Sequence, residues 1–219
     1  MKRKLQRFSE IETLPNVFQK DCLLKGKWNE EYFKKKAPIS LELGCGRGEY
    51  TLALYERNPE YHFIGIDIKG ARLWRGAKSA FEFEWKGIAF LRIQIESLPD
   101  YFCEGEVDDI WITFPDPHPS QRRERKRLTN PRFLAYYFSI LKPDGRIHLK
   151  TDSAELFSYS LETIPTLSGK FLTIQRDVHK DIQDPTHILS VTTTYEKIFM
   201  KEGKPINYLC FQIEKQVSG

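Results

Sequence analysis

The stretch that most constrains the fold is ISLELGCGRGEY, Ile39 to Tyr50. A short, mainly apolar run passes into a five-residue turn, GCGRG. Tyr50, Ala53 and Leu54 then fall at helical spacing. Glycine permits a tight turn and lets a ligand approach the backbone closely. A strand that turns directly into a helix is the repeating unit of an α/β sheet, and the pattern continues. YHFIGID (Tyr61 to Asp67), IAFLRIQI (Ile88 to Ile95), VDDIWITF (Val107 to Phe114) and RIHLK (Arg146 to Lys150) read as four more strands. Between them, Trp74, Ala77, Phe81 and Trp85 mark one helix face, and Phe133, Leu134, Tyr137 and Leu141 another. Pro143-Asp144-Gly145 reads as a turn. KFLTIQRD (Lys170 to Asp177) and INYLCFQIE (Ile206 to Glu214) bring the total to seven strands. Alternation of this kind predicts a mostly parallel sheet with helices on both faces.

The chain has 219 residues, 40% of them hydrophobic, which suits one domain of ordinary size. No linker divides it after Ile39, so residues 39–219 are read as that domain. Residues 1–38 lack clear periodicity and are read as a basic N-terminal arm. Lys2, Arg3, Lys4 and Arg7 open it and Lys34, Lys35 and Lys36 close it; the ordinary reading is a solvated, partly disordered terminus, and the alternative is contact with a nucleic acid. No apolar run is long enough to cross a bilayer, and no apolar stretch follows the basic start MKRKLQRFSE. Cys22, Cys45, Cys103 and Cys210 form no CxxC, and the five histidines lack metal-ligand spacing. A cytoplasmic protein with no metal and no membrane contact is expected, as a monomer or homodimer. The net charge of +4 is modest. Its distribution is more telling, because the basic residues cluster.

The glycine loop reads E-x-G-x-G-x-G over Glu42, Gly44, Gly46 and Gly48, not the G-x-G-x-x-G of dinucleotide enzymes. It looks like the first motif of S-adenosylmethionine-dependent methyltransferases. That donor has a ribose, a sulfonium and an ammonium but no pyrophosphate. Asp67 ends the next strand, where an acid can accept from both ribose hydroxyls. Glu42 would face positive charge, and Glu96, after the third strand, would lie near the adenine. Cys45 is read as a packing residue.

A second segment, FPDPHPSQRRERKRL (Phe114 to Leu128), follows the fourth strand. Ligands in such sheets bind beyond the carboxyl ends of the strands, where the strand order reverses. The first and fourth strands would be neighbours there, with Asp116 close to the donor's methyl group. Pro115, Pro117 and Pro119 stiffen the turn that carries it. Arg122, Arg123, Arg125, Lys126 and Arg127 come next, offset only by Glu124, and arginine suits bidentate phosphate contacts.

Taken together, LELGCGRG, GID, FPDPHPSQRRERKRL, HLKTD and TTTYE, in that order, resemble the TrmB-type tRNA guanine-N(7) methyltransferases. The resemblance implies a Rossmann-like fold with an antiparallel last strand, S-adenosylmethionine as donor, tRNA as partner, and 7-methylguanosine in the tRNA variable loop as product. It implies donor contacts by Glu42, Gly44, Gly46, Gly48, Asp67, Glu96 and Asp116, with Asp116 also catalytic. Ser120, Arg122, Arg123, Arg125, Asp152, Thr193, Thr194, Tyr195 and Glu196 would meet the substrate. The family usually has tryptophan at His118 and lysine at Ser120, so this chain departs at both. Rival readings are a methyltransferase acting on another RNA or a small molecule, and a non-catalytic tRNA-binding protein. The glycine spacing argues against a nicotinamide-dependent oxidoreductase.

Overall fold

The computed structural model describes residues 2–182, 184 and 186–213, with side chains from Arg7 onward. The side chains of Lys2, Arg3 and Lys4, together with Pro185 and Glu214, lie outside the described residues. The strands are β1 (Val17–Phe18), β2 (Ile39–Leu43), β3 (His62–Ile66), β4 (Ile88–Leu91), β5 (Val107–Thr113), β6 (Leu141–Thr151), β7 (Gly169–Gln175) and β8 (Asn207–Ile213). The helices are α1 (Lys2–Ile11), α2 (Glu49–Arg57), α3 (Gly70–Glu82), α4 (Leu98–Tyr101), α5 (Pro131–Ile140), α6 (Ala154–Thr163), α7 (Val178–Asp181) and α8 (Thr194–Lys201).

The strands form one sheet in the order β1-β4-β3-β2-β5-β6-β8-β7. Pairing is parallel from β1 to β6, while β8 runs antiparallel to both β6 and β7. Every residue of β2, β3 and β4 is buried, as expected for parallel strands covered on both faces. The expected neighbours, β2 and β5, pair directly: Leu43 aligns with Ile66 of β3 on one side and with Ile112 of β5 on the other. The strand order reverses at β2, so its carboxyl end opens the crevice in which such sheets hold ligands.

Eight strands are present where seven were expected, because the first 38 residues contribute β1. Val17 and Phe18 pair with Phe90 and Leu91 at the sheet edge. Ile11, Trp28 and Phe33 are buried. Trp28 donates from Nε1 to the Tyr101 carbonyl at 3.1 Å, and its ring stacks on Phe102. Glu10 of α1 accepts from Trp74 Nε1 of α3 at 2.8 Å. The described part of the presumed arm is therefore packed on the domain. Its anchors are widely spaced single residues held by tertiary contacts, which leave no local period.

The helix face read from Trp74, Phe81 and Trp85 also differs. The buried face of α3 is Gly70, Leu73, Gly76, Ala77 and Ala80, and Phe81 is half exposed. A Cβ on Gly76 would stand 2.7 Å from the Arg47 carbonyl oxygen, and one on Gly48 would stand 2.7 Å from the Phe90 ring. Small residues let α3 approach the glycine loop this closely. Pro143-Asp144-Gly145 lies within β6, at an irregularity where its pairing with β5 shifts between Val107 and Asp109.

Candidate active site

The glycine loop is shaped by its backbone. Gly44, Gly46 and Gly48 have φ of 72°, 57° and 71°, a region that side chains with a Cβ rarely enter. The N–H groups of Gly44 and Cys45 both donate to the Ile66 carbonyl, at 2.8 and 3.0 Å, which ties the loop to the end of β3. A Cβ at Gly44 would meet no atom within 4 Å, so the loop's outer surface is open. Cys45 is buried in the core, as expected for a packing residue.

Two carboxylates bracket the loop. Asp67 Oδ2 accepts from the Gly46 N–H at 2.9 Å, and its Oδ1 accepts from the Lys69 N–H at 2.7 Å. Each oxygen keeps a further lone pair for a ligand. Beneath the loop, Glu42 is 2% exposed. Its Oε2 accepts from the Thr51 backbone N–H at 2.8 Å and from the Thr51 hydroxyl, and its Oε1 accepts from the Thr113 hydroxyl at 2.6 Å. Among the described residues no cation pairs with it. Burial pushes its pKa up to about 7; the three hydrogen bonds oppose the rise and the nearby Asp67 adds to it.

The Phe114–Ser120 turn stands beside this crevice. The Phe114 N–H donates to the Lys150 carbonyl at 2.8 Å. Phe114 and His118 adopt φ of 47° and 43°, uncommon for residues other than glycine. Arg127 holds the turn in this shape. Its guanidinium donates to the His118 carbonyl at 3.2 and 3.3 Å, pairs with Glu155 at 2.6 Å and lies over the Tyr159 ring. The basic run is thus divided. Arg127 is buried as a staple, whereas Arg122, Arg123, Arg125 and Lys126 are exposed, as are Asp116 and Ser120. Burial, aided by Lys126, Arg123 and Arg127, lowers the His118 pKa against the pull of Asp116.

The remaining candidates are spread around this centre. Glu96 lies in a short turn and faces Arg132 at 3.8 Å. Asp152 follows β6 and is half-buried. Thr193 caps α8, exchanging hydrogen bonds with Glu196 in a capping box. Thr194 donates its backbone N–H to Glu49 at 2.7 Å, which brings the start of α8 to the start of α2 beside the glycine loop. Tyr195 is exposed there. Glu196 is fully buried: its Oε1 accepts from Lys150 Nζ at 2.6 Å and lies 2.8 Å from His179 Nε2. Lys150 Nζ also donates to the carbonyls of Leu189 and Val191 at 3.0 and 2.8 Å. In this structure Glu196 anchors α8 and its approach.

Four participants escaped the sequence: Thr51 and Thr113, which hold Glu42, and Lys150 and Glu49, which hold α8. Only Lys150 left a signal there, as a lysine within the strand run RIHLK.

A family model described as "Putative methyltransferase" matches residues 36–209. The tRNA (guanine-N(7)-)-methyltransferase of Christiangramia forsetii is 46% identical over 97% of this chain and 99% of its own length. The protein of that name from Porphyromonas gingivalis is 44% identical over 92% of this chain and 86% of its own. Among solved structures, an antibiotic-related methyltransferase superposes with a TM-score of 0.63 at 19% identity, covering 88% of this chain and 94% of that one. The 16S rRNA methyltransferase KamB gives 0.60 at 14% identity, covering 86% and 93%. These two likenesses speak for the fold alone. The sequence relatives carry the assignment: the chain belongs to the tRNA (guanine-N(7)-)-methyltransferase family.

Proposed function

We propose that this protein transfers the methyl group of S-adenosylmethionine to N7 of a guanosine in the tRNA variable loop. In a chain of this family, one observation carries the reading: a buried carboxylate, Glu42, with no cation partner among the described residues, under an open glycine loop. The residues fit the donor. Glu42 offers negative charge to its cationic end, and Asp67 offers free lone pairs to ribose hydroxyls. When bound, the donor supplies an electrophilic methyl group on a sulfonium.

Guanine N7 carries an in-plane lone pair and no proton, so no residue has to act as a general base. The protein's contribution is alignment and charge stabilisation. Asp116, on its stapled turn, accepts from the guanine N1–H and exocyclic amine, which selects guanine over adenine. Its charge also offsets the positive charge that the ring gains. Asp152 adds a second carboxylate beyond the neighbouring strand end. Arg122, Arg123 and Arg125 hold phosphates, and Ser120 at the head of that turn offers a hydroxyl. Thr193, Thr194 and Tyr195 line the other side, held there by Glu196. Glu96 faces the adenine. A cytoplasmic place of action follows from a tRNA substrate.

The test is methyl transfer from labelled S-adenosylmethionine to tRNA lacking 7-methylguanosine, followed by nucleoside analysis. Label is expected in 7-methylguanosine, and it should be absent when the tRNA is already modified. Label in another nucleoside would overturn the base assignment. Donor binding without any transfer to tRNA would overturn the substrate.

A further inference from the structure

Beside the glycine loop lies an open groove of about 580 Å³. Arg7 of α1, Arg47 of the loop, and Arg72 and Arg75 of α3 line it, and the exposed Tyr195 ring stands at its edge. All four arginines are exposed. Among the described residues, none is in an ion pair. The one acid in the lining, Glu49, already accepts from the Thr194 N–H. Arg7 is held by stacking its guanidinium 4.9 Å from the Trp74 ring. Arg72 and Arg75 are three residues apart on a helix and so share a face.

We propose that this groove is a second binding site for the RNA sugar–phosphate backbone, opposite the Arg122–Arg125 turn; the proposal rests on tRNA being the substrate. The sheet order supplies the argument. Strand β2 lies between β3 and β5, and its glycine loop marks the donor crevice. The exposed turn with Arg122, Arg123 and Arg125 follows β5, whereas Arg72 and Arg75 follow β3. The two sets of guanidiniums therefore flank the crevice, and one RNA can be held on both sides of the base that enters it. Four uncompensated guanidiniums around a groove suit phosphate oxygens, which arginine binds through paired N–H donors. The Tyr195 ring offers a surface on which an unstacked base can lie. An acidic protein segment would satisfy the same charges without the ring, and the test separates the two.

The test compares wild type with Arg72→Ala/Arg75→Ala for binding of unmodified tRNA by fluorescence anisotropy over a salt series. The dissociation constant should rise about tenfold, and the slope of its logarithm against log salt should fall by about 1.5, for two lost phosphate contacts. Donor binding by calorimetry should stay as in wild type. If the double variant loses donor binding, Arg75→Gln alone serves, with half that change in slope. A wild-type slope in a variant that binds the donor normally would overturn the groove as an RNA site. Wild type that fails to form 7-methylguanosine, while the variant still loses slope, would overturn the proposed reaction and leave the groove standing. Normal methylation with an unchanged slope would remove the groove alone.

Discussion

Glu42 and Glu196 are both buried glutamates, 2% and 0% exposed, yet their surroundings are opposite. Glu196 meets a cation of the same chain, Lys150, and adds His179 and the cap of α8. Among the described residues, Glu42 meets hydroxyls and one N–H but no cation. Leaving a buried carboxylate without a counter-charge is costly. In the proposed function, the cationic end of the donor supplies the missing counter-charge. The pair contrasts a glutamate that holds the structure together with one that, in the proposed function, receives the donor's charge.

The largest effect should come from breaking the satisfied pair. Lys150→Met leaves Glu196 buried and uncompensated, and urea unfolding should report a loss of about 3–5 kcal/mol. Lys150→Met with Glu196→Gln should recover part of it, since both charges are then gone. Equal losses in the single and double variants would mean that the ion pair is not what anchors α8.

The unsatisfied glutamate should behave in the opposite way. Its folded pKa, about 7, lies above its ordinary value of 4.5, so the folded state holds the proton more tightly. The stability this gives is full below pH 4.5 and lost as the pH rises through about 7, a decline of roughly 3 kcal/mol from this group in donor-free protein. Glu42→Gln keeps the shape and removes the charge. It should flatten that decline and leave the fold at least as stable at pH 8, while weakening donor binding by about tenfold or more. A variant as tight for the donor as wild type would place the donor's charge elsewhere. The smallest change is Thr113→Val, which removes one hydrogen bond to Glu42. It should push the carboxyl pKa higher and weaken donor binding at neutral pH by about 1 kcal/mol.

The two glutamates were also unequally legible in the sequence. Glu42 could be read because its setting is local: strand, glycine turn and helix are consecutive, and buried parallel strands announce themselves as apolar runs. The same locality exposed Asp67, and the prolines framed Asp116. The setting of Glu196 was hidden, because Lys150 and His179 reach it from β6 and α7 and no spacing rule links the three. The first 38 residues failed for a related reason. Ile11 is buried in one apolar cluster and Trp28 and Phe33 in another, held by tertiary contacts that no local spacing marks. On α3, aromatic size misdirected the choice of face, because close approach to the glycine loop requires Gly76 and Ala77 to lie inward.

The most direct measurement is calorimetry of S-adenosylmethionine binding at about pH 6.5, in two buffers of different ionisation enthalpy, for wild type and Glu42→Gln. The approach of a cation should drive Glu42 to its charged form. Wild type should then release roughly half a proton or more on binding, its affinity should fall as the pH drops below about 7, and Glu42→Gln should release none. Equal proton release by both proteins, together with equal affinity, would contradict the claim that Glu42 is held without a cation in order to receive the donor's.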